Sequence, residues 1–252
     1  MDSKLKRKWS TTEIAMTRLK YLGLDRANSS VQKACLYCET LLNDLSLWPE
    51  GMEKNQLFPR AVPVYITTVL SHFGSEDLLY QQYKNALLSL LNEAFKDGTY
   101  NQEALVQRAK KTLGIEIHGT YIGLNSKYLL VFFHHHEKQI DKEIQKKYLK
   151  WLHEQDRIFY SAESLKTTIT PLSDLGMICR KVELLSYLSS LYGFSEEFIE
   201  DLNALSVMRQ SDGCWDFGNG FRCPRLSENW GNSANRKFDQ TFYIQRLFHN
   251  PH

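Results

Sequence analysis

The chain has no long apolar run. Nothing in it approaches the roughly 18 uninterrupted apolar residues of a membrane span, and the stretch from Tyr128 to Phe133 is too short. No apolar core follows the charges of Lys4, Lys6, Arg7 and Lys8, so the first residues do not read as a secretory signal. Residues 1–10 are expected to be a flexible basic N-terminus, with a weak peripheral contact to a membrane surface as the alternative. Cysteine is scarce, and its five copies fall at irregular spacing, which argues against a disulfide framework and for a reducing, cytoplasmic setting. Proline is also scarce, at six residues, which suits long helices. Neither sign of charge dominates: 31 Lys and Arg against 29 Asp and Glu leave +2, so no field draws in nucleic acid. The G-x-S-x-G and G-x-x-x-x-G-K-[ST] patterns of hydrolase nucleophiles and phosphate loops are missing.

What the chain does have is helical periodicity that repeats. A hydrophobic content of 42% with 12% aromatics marks a globular protein, expected as a single domain over 1–252. One set of helical segments centres near Thr17, Thr68, Ser126, Leu184 and Phe242, spaced by about 51 and then about 58 residues. A second set lies between them, at 29–46, 77–96, 138–154 and 195–210. Nine long helices are expected, with shorter pieces such as 101–113. First-set segments close on Leu22-Gly23, Phe73-Gly74 and Tyr192-Gly193, because glycine accepts the left-handed backbone of a helix C-terminus. Ser75-Glu76-Asp77 and Ser195-Glu196-Glu197 then supply capping oxygens and acids to the next helix start. The third copy departs from this pattern and ends in His134-His135-His136.

Second-set helices run into an Asp followed three residues later by an aromatic: Asp97 and Tyr100, Asp156 and Phe159, Asp212 and Trp215. The Asp starts a turn, Gly98 or Gly213 takes the unusual backbone angles, and the ring is expected to wedge between neighbouring hairpins. Arg209-Gln210-Ser211-Asp212-Gly213-Cys214-Trp215 resembles the glutamine-tryptophan repeat of squalene cyclases. The stretch Arg236-Lys237-Phe238-Asp239-Gln240-Thr241-Phe242-Tyr243 resembles the inner helix that follows it in cyclases and protein prenyltransferases. The resemblance covers the last 50 or so residues by motif, and the rest only by repeat length. It implies an all-α fold of repeated helical hairpins, an α/α toroid or open arc around an apolar cavity.

Cationic cyclisation needs a strong carboxylic acid or a metal cluster, and the chain has no adjacent Asp pair from which to build either family motif. Asn43-Asp44-Leu45-Ser46 with Glu50 approaches a metal motif but is mis-spaced and interrupted by Pro49. Asp212-Gly213-Cys214 repeats the letters of the prenyltransferase zinc element, yet Gln240 stands where the resemblance places the zinc histidine, so neither metal nor cofactor is expected. Cys35 and Cys38 read as a buried pair of small apolar residues, and three consecutive histidines cannot all face one ion from a helix. The candidate general acid is therefore Asp239, with Asp212 and Glu228 behind it. Phe238, Phe242, Tyr243 and Trp215 are the candidate ligand-binding rings, able to face a carbocation. Two functions are expected on these grounds: an isoprenoid cyclase-like or prenyl-handling protein that binds a hydrophobic small molecule, or a non-catalytic helical scaffold that keeps the fold without the acid. Homo-oligomerisation is left open.

Overall fold

A computed structural model describes residues 12–47, 58–115, 123–159, 161, 164–227 and 229–249. The basic N-terminus, Trp48 to Glu50 and Glu228 lie outside them. The fold is all-α, with eleven α-helices and no strand among the described residues. In order these are α1 (Thr12–Tyr21), α2 (Ser29–Asn43), α3 (Phe58–Ser71), α4 (Leu78–Phe95), α5 (Gln102–Leu113) and α6 (Lys127–His135). They continue with α7 (Lys142–His153), α8 (Leu175–Leu188), α9 (Phe194–Glu197), α10 (Ile199–Val207) and α11 (Ser233–Gln245). No helix among the described residues is long and apolar enough to cross a membrane. The chain groups into two compact units, Met1–Leu87 and Leu88–His252, and the division falls inside α4.

In the first unit, capping oxygens start the helices where the sequence places them. Asn28 accepts from the backbone N–H groups of Ser30 and Val31 to open α2, and Asp77 accepts from Tyr80 to open α4. Gly74 has φ +69°, the left-handed turn that lets the chain leave α3 and double back. Glu13 accepts from the Tyr65 hydroxyl at 3.0 Å, and Thr17 pairs with His72 at 3.2 Å. Position and partner both advance along the chain, so α1 and α3 lie side by side and run parallel. Met16, Val31, Cys35, Cys38, Leu41, Ile66, Leu70 and Tyr80 form the core between these helices and α2.

The second unit repeats that device. Lys127 pairs with Glu183 at 2.6 Å, and His134 pairs with Ser190 at 2.8 Å, the same 56-residue offset at both ends, so α6 and α8 are parallel neighbours. Ser186 on α8 then meets the Tyr243 hydroxyl of α11 at 2.8 Å, an offset of 57. The spacing read from the sequence is thus a spacing between first-set helices that touch. Second-set α7 is tied to α9 by His153, which pairs with Glu197 at 2.6 Å. It is tied to the turn before α9 by Gln145, whose side chain accepts from the N–H of Tyr192 and donates to the carbonyls of Glu137 and Ile140.

Two expectations about boundaries need correction. Ser126 is not a helix centre but the N-cap of α6, fixed by a backbone bridge in which Phe159 donates to Asn125 and Lys127 donates to Phe159. The segment expected as one helix over 195–210 is two, α9 and α10, because Phe198 takes φ −114° and ψ 28°. The hydrogen-bond ladder still runs through it, from Phe198 to Phe194 and from Leu202 to Phe198, while Phe194 and Phe198 both turn into the core.

Candidate functional site

The candidate residues cluster where α10 gives way to the turn and loop of 208–232 and then to α11. Gly213 has φ +80°, closing a turn in which Gly213 donates to Gln210 and Gln210 donates to Cys214. Trp215 comes next and is buried, 3% exposed. Its indole N–H donates to Leu205 O at 2.7 Å, its ring stacks on Phe248 at 5.8 Å, and the Arg209 guanidinium lies 5.2 Å above it. Tyr100 plays a related part after α4, stacked on Trp151 at 4.3 Å. Trp215 and Tyr100 thus pack where the Asp-to-aromatic spacing predicts, whereas Phe159, the third ring of that spacing, follows a backbone bridge to Asn125 and Lys127 with the Arg157 guanidinium 4.9 Å from its ring.

Beyond Trp215 the chain is not helical, and α11 supplies what its backbone needs. Thr241 accepts from the N–H of Trp215, and the Gln240 amide accepts from Phe217 at 2.7 Å while donating to Gly218 O at 2.8 Å. Gln240 therefore acts as a two-sided backbone partner.

Asp239 does the same work more completely. Fully buried, it accepts from Leu226 N at 2.9 Å, Ser227 N at 2.9 Å, the Ser227 hydroxyl at 2.7 Å and the Trp230 indole N–H at 2.7 Å. Donors surround both oxygens, an arrangement suited to holding a loop. The candidate acid is thus engaged with its own chain, and its partners are loop donors, not Arg236. Arg236 instead grips Asp216 in a two-point pair at 2.9 and 2.8 Å and reaches Asn219 at 3.0 Å. That hydrogen-bonded guanidinium holds the Asp216 carboxyl below its usual value. Asp212 pairs with Lys237, which lowers its carboxyl in the same way, and accepts from Cys214 N. Glu228 lies outside the described residues.

The four candidate rings do not converge. Trp215 and Tyr243 belong to the core, whereas Phe238 is 66% exposed and Phe242 37% exposed. The sequence pattern sets Asp239 and Phe242 on one face, and the structure separates them. At about 100° per residue, a residue four positions on lies closer in angle than one three positions on. Asp239 accordingly shares its buried face with Tyr243, and Phe238 shares the open one with Phe242.

Among the described residues no group of three or more His, Cys, Asp or Glu side chains is placed to hold a metal ion. Cys35 and Cys38 are buried in the first core, and all five cysteines are free thiols. Burial, with Asp239 and Cys179 adding to it, pushes the Cys223 thiol well up, away from a reactive thiolate.

One buried pair is not anticipated from the sequence. Lys181 on α8 has no exposed surface and donates to the carbonyls of Leu165 at 2.6 Å and Thr167 at 2.8 Å, with Asp201 at 3.2 Å. Asp201 also accepts from Ile169 N at 2.7 Å, and burial, opposed by Lys181, pushes its carboxyl up. The pair fastens the 164–173 segment to α8 and α10. A lysine at a core-facing position of an otherwise apolar helix is the available signal.

Comparison of the chain with family models, curated proteins and solved structures finds no match. The squalene-cyclase-like resemblance accordingly rests on residues 209–215 and 236–243.

Proposed function

We propose that this chain is a non-catalytic binding scaffold of the squalene-cyclase-like repeat type, with a small apolar molecule as its ligand. One observation carries the reading: the carboxylates best placed to act as acids are spent on structure. Asp239 holds the loop at 226–230, Asp216 holds Arg236, and Asp212 holds Lys237. Protonating an alkene needs a carboxyl that presents a proton to the ligand, and an acid ringed by donors from its own loop does not. Phe238 and Phe242, one turn apart on the open face of α11, are the rings left available for a ligand. Five free thiols suit a reducing compartment such as the cytoplasm.

The test is to incubate the full chain with farnesyl diphosphate, geranylgeranyl diphosphate and squalene, and separately to titrate it with farnesol. The scaffold reading expects no product, and farnesol binding that weakens about ten-fold in the Phe238→Ala, Phe242→Ala double variant. Turnover by the wild type would overturn the scaffold reading, and its loss in Asp239→Asn, assayed well below that variant's melting temperature, would restore Asp239 as the acid. Absence of farnesol binding would remove the ligand assignment.

A further inference from the structure

Residues 218–221 form a tight turn in the loop that α11 holds: Phe221 N donates to Gly218 O at 3.4 Å, with Asn219 and Gly220 as the central pair. The turn is pinned at its first residue, where Gly218 N donates to Asp216 at 2.9 Å and Gly218 O accepts from Gln240 at 2.8 Å. Asn219 and Gly220 are both exposed, so water reaches them. A Cβ at position 220 would stand 2.9 Å from Leu175 Cδ2, so glycine fits this approach without a shift. Among the described residues the N–H of Gly220 meets no acceptor.

The nitrogen that follows an asparagine and the asparagine Cγ are the two ends of a five-membered ring, and a following glycine leaves that closure unhindered. Of the chain's asparagines only Asn219 precedes a glycine. Arg236 adds what the sequence pair alone lacks. Its guanidinium is fixed on Asp216 through two nitrogens, at 2.9 and 2.8 Å, and aims the third at the side-chain oxygen of Asn219, at 3.0 Å. Attack on Cγ places negative charge on that oxygen, and a donor already held there stabilises the charge as it forms.

We infer that Asn219, Gly220 and Arg236 form a self-modifying site that converts Asn219 to aspartate and isoaspartate. The Gly220 nitrogen gives its proton to water and bonds to Asn219 Cγ. The bond from Cγ to the side-chain nitrogen breaks, and that nitrogen takes a proton from water and leaves as ammonia. Water, the co-reactant, then opens the resulting succinimide. Addition at Cγ leaves aspartate, and addition at the Asn219 main-chain carbonyl leaves isoaspartate, with the backbone routed through Cβ and Cγ. The sum is an asparagine and a water becoming an acid and ammonia. The new carboxylate faces Arg236 in competition with Asp216, and the extra backbone carbon of isoaspartate moves Gly220 relative to Leu175. The loop held by α11 thus undergoes a one-way change that accumulates with time. The reaction uses no ligand, so it stands apart from the scaffold reading.

The full chain is held at neutral pH and physiological temperature for days, digested under mildly acidic conditions and followed by mass spectrometry. The peptide holding residue 219 should gain the mass difference of an acid over an amide and split into aspartate and isoaspartate forms. Asn219→Gln, which lengthens the ring to be closed, should abolish both. Arg236→Ala should slow conversion about ten-fold, and guanidinium ion, well below denaturing concentration, should restore most of the rate. That rescue separates a donor to the reacting oxygen from a residue that only shapes the turn. No conversion at Asn219 in the wild type overturns the proposal. So does an Arg236→Ala variant that converts as fast as the wild type or faster, or a slowed variant that guanidinium ion does not rescue.

Discussion

The described residues of 12–87 are held mainly by apolar helix faces, with Met16, Val31, Cys35, Ile66 and Leu70 packed between helices that pair their own backbone. The described residues of 208–232 contain no helix, and several of their backbone groups find partners on the side chains of α11: Asp239, Gln240 and Thr241. Both strategies satisfy polar groups, but the first uses carboxylates and amides such as Asn28 and Asp77 only at helix ends, while the second draws Asp239 and Gln240 from within a helix to hold a loop. A cluster of Asp, Gln, Arg and Trp near a chain end therefore reads as chemistry in the sequence, although the same cluster is what an irregular segment needs in order to pack.

That contrast is broken most directly at Trp215. If the ring is the wedge that closes α10 against α11, Trp215→Ala should cost roughly 3–5 kcal/mol, because it empties a large core volume and leaves Leu205 O without its donor. Chemical denaturation of both proteins measures it. A cost below about 1 kcal/mol would show that the turn is held by its backbone bonds alone.

Asp239→Asn comes next. The amide oxygen can replace the oxygen that faces Leu226, Ser227 and Trp230, and the Ser227 hydroxyl must turn to accept from the new NH2 group, so the shape survives while one acceptor oxygen is lost. The expected cost is roughly 2–3 kcal/mol, with the Trp230 indole signal shifted in NMR spectra. A variant as stable as the wild type would mean that the loop does not depend on two acceptor oxygens at position 239.

In the first unit the matching change should be mild. Cys38 packs against Met16 with its sulfur 3.9 Å away, and burial pushes its thiol up to about 12. Cys38→Ala should cost about 1 kcal/mol, the worth of one small apolar group. In the native wild type this thiol should resist alkylation at neutral pH, and rapid labelling would show that the core opens.

The scaffold is legible in the sequence because its signals are local. Capping oxygens at Asn28 and Asp77 and the positive-φ glycine at 74 sit beside the helix ends they define, whereas Tyr192-Gly193 does not close α8, which ends at Leu188, and Gly193 instead precedes α9 with no side-chain cap from Ser195. The repeat spacing survives because it measures the offset between touching helices. The role of Asp239 is not legible, since its partners are main-chain N–H groups 12 and 13 residues away, and every residue but proline carries one. The break at Phe198 is hidden for a related reason: Phe194 and Phe198 keep helical spacing, and only their burial decides that the backbone twists between them.

The smallest effect expected is the pH dependence of the Asp216–Arg236 pair, and it tests whether polar ties rather than apolar packing set the acid limb of stability. Asp216 is held below its ordinary 3.8 chiefly by the Arg236 hydrogen bond. The folded state thus binds this proton less readily than the unfolded chain. Its stabilising contribution is complete above the ordinary value and is lost as pH falls through the lower, folded one. Thermal melts of wild type and Asp216→Asn should therefore differ by a constant amount above about pH 5 and converge towards about pH 2. Added salt should narrow the gap at neutral pH, because the pair is partly exposed. A gap that persists unchanged at low pH would assign the loss to packing around Asn219 and Gly218, not to charge. A gap that widens on acidification would reverse the sign and place the Asp216 carboxyl above its ordinary value in the folded protein.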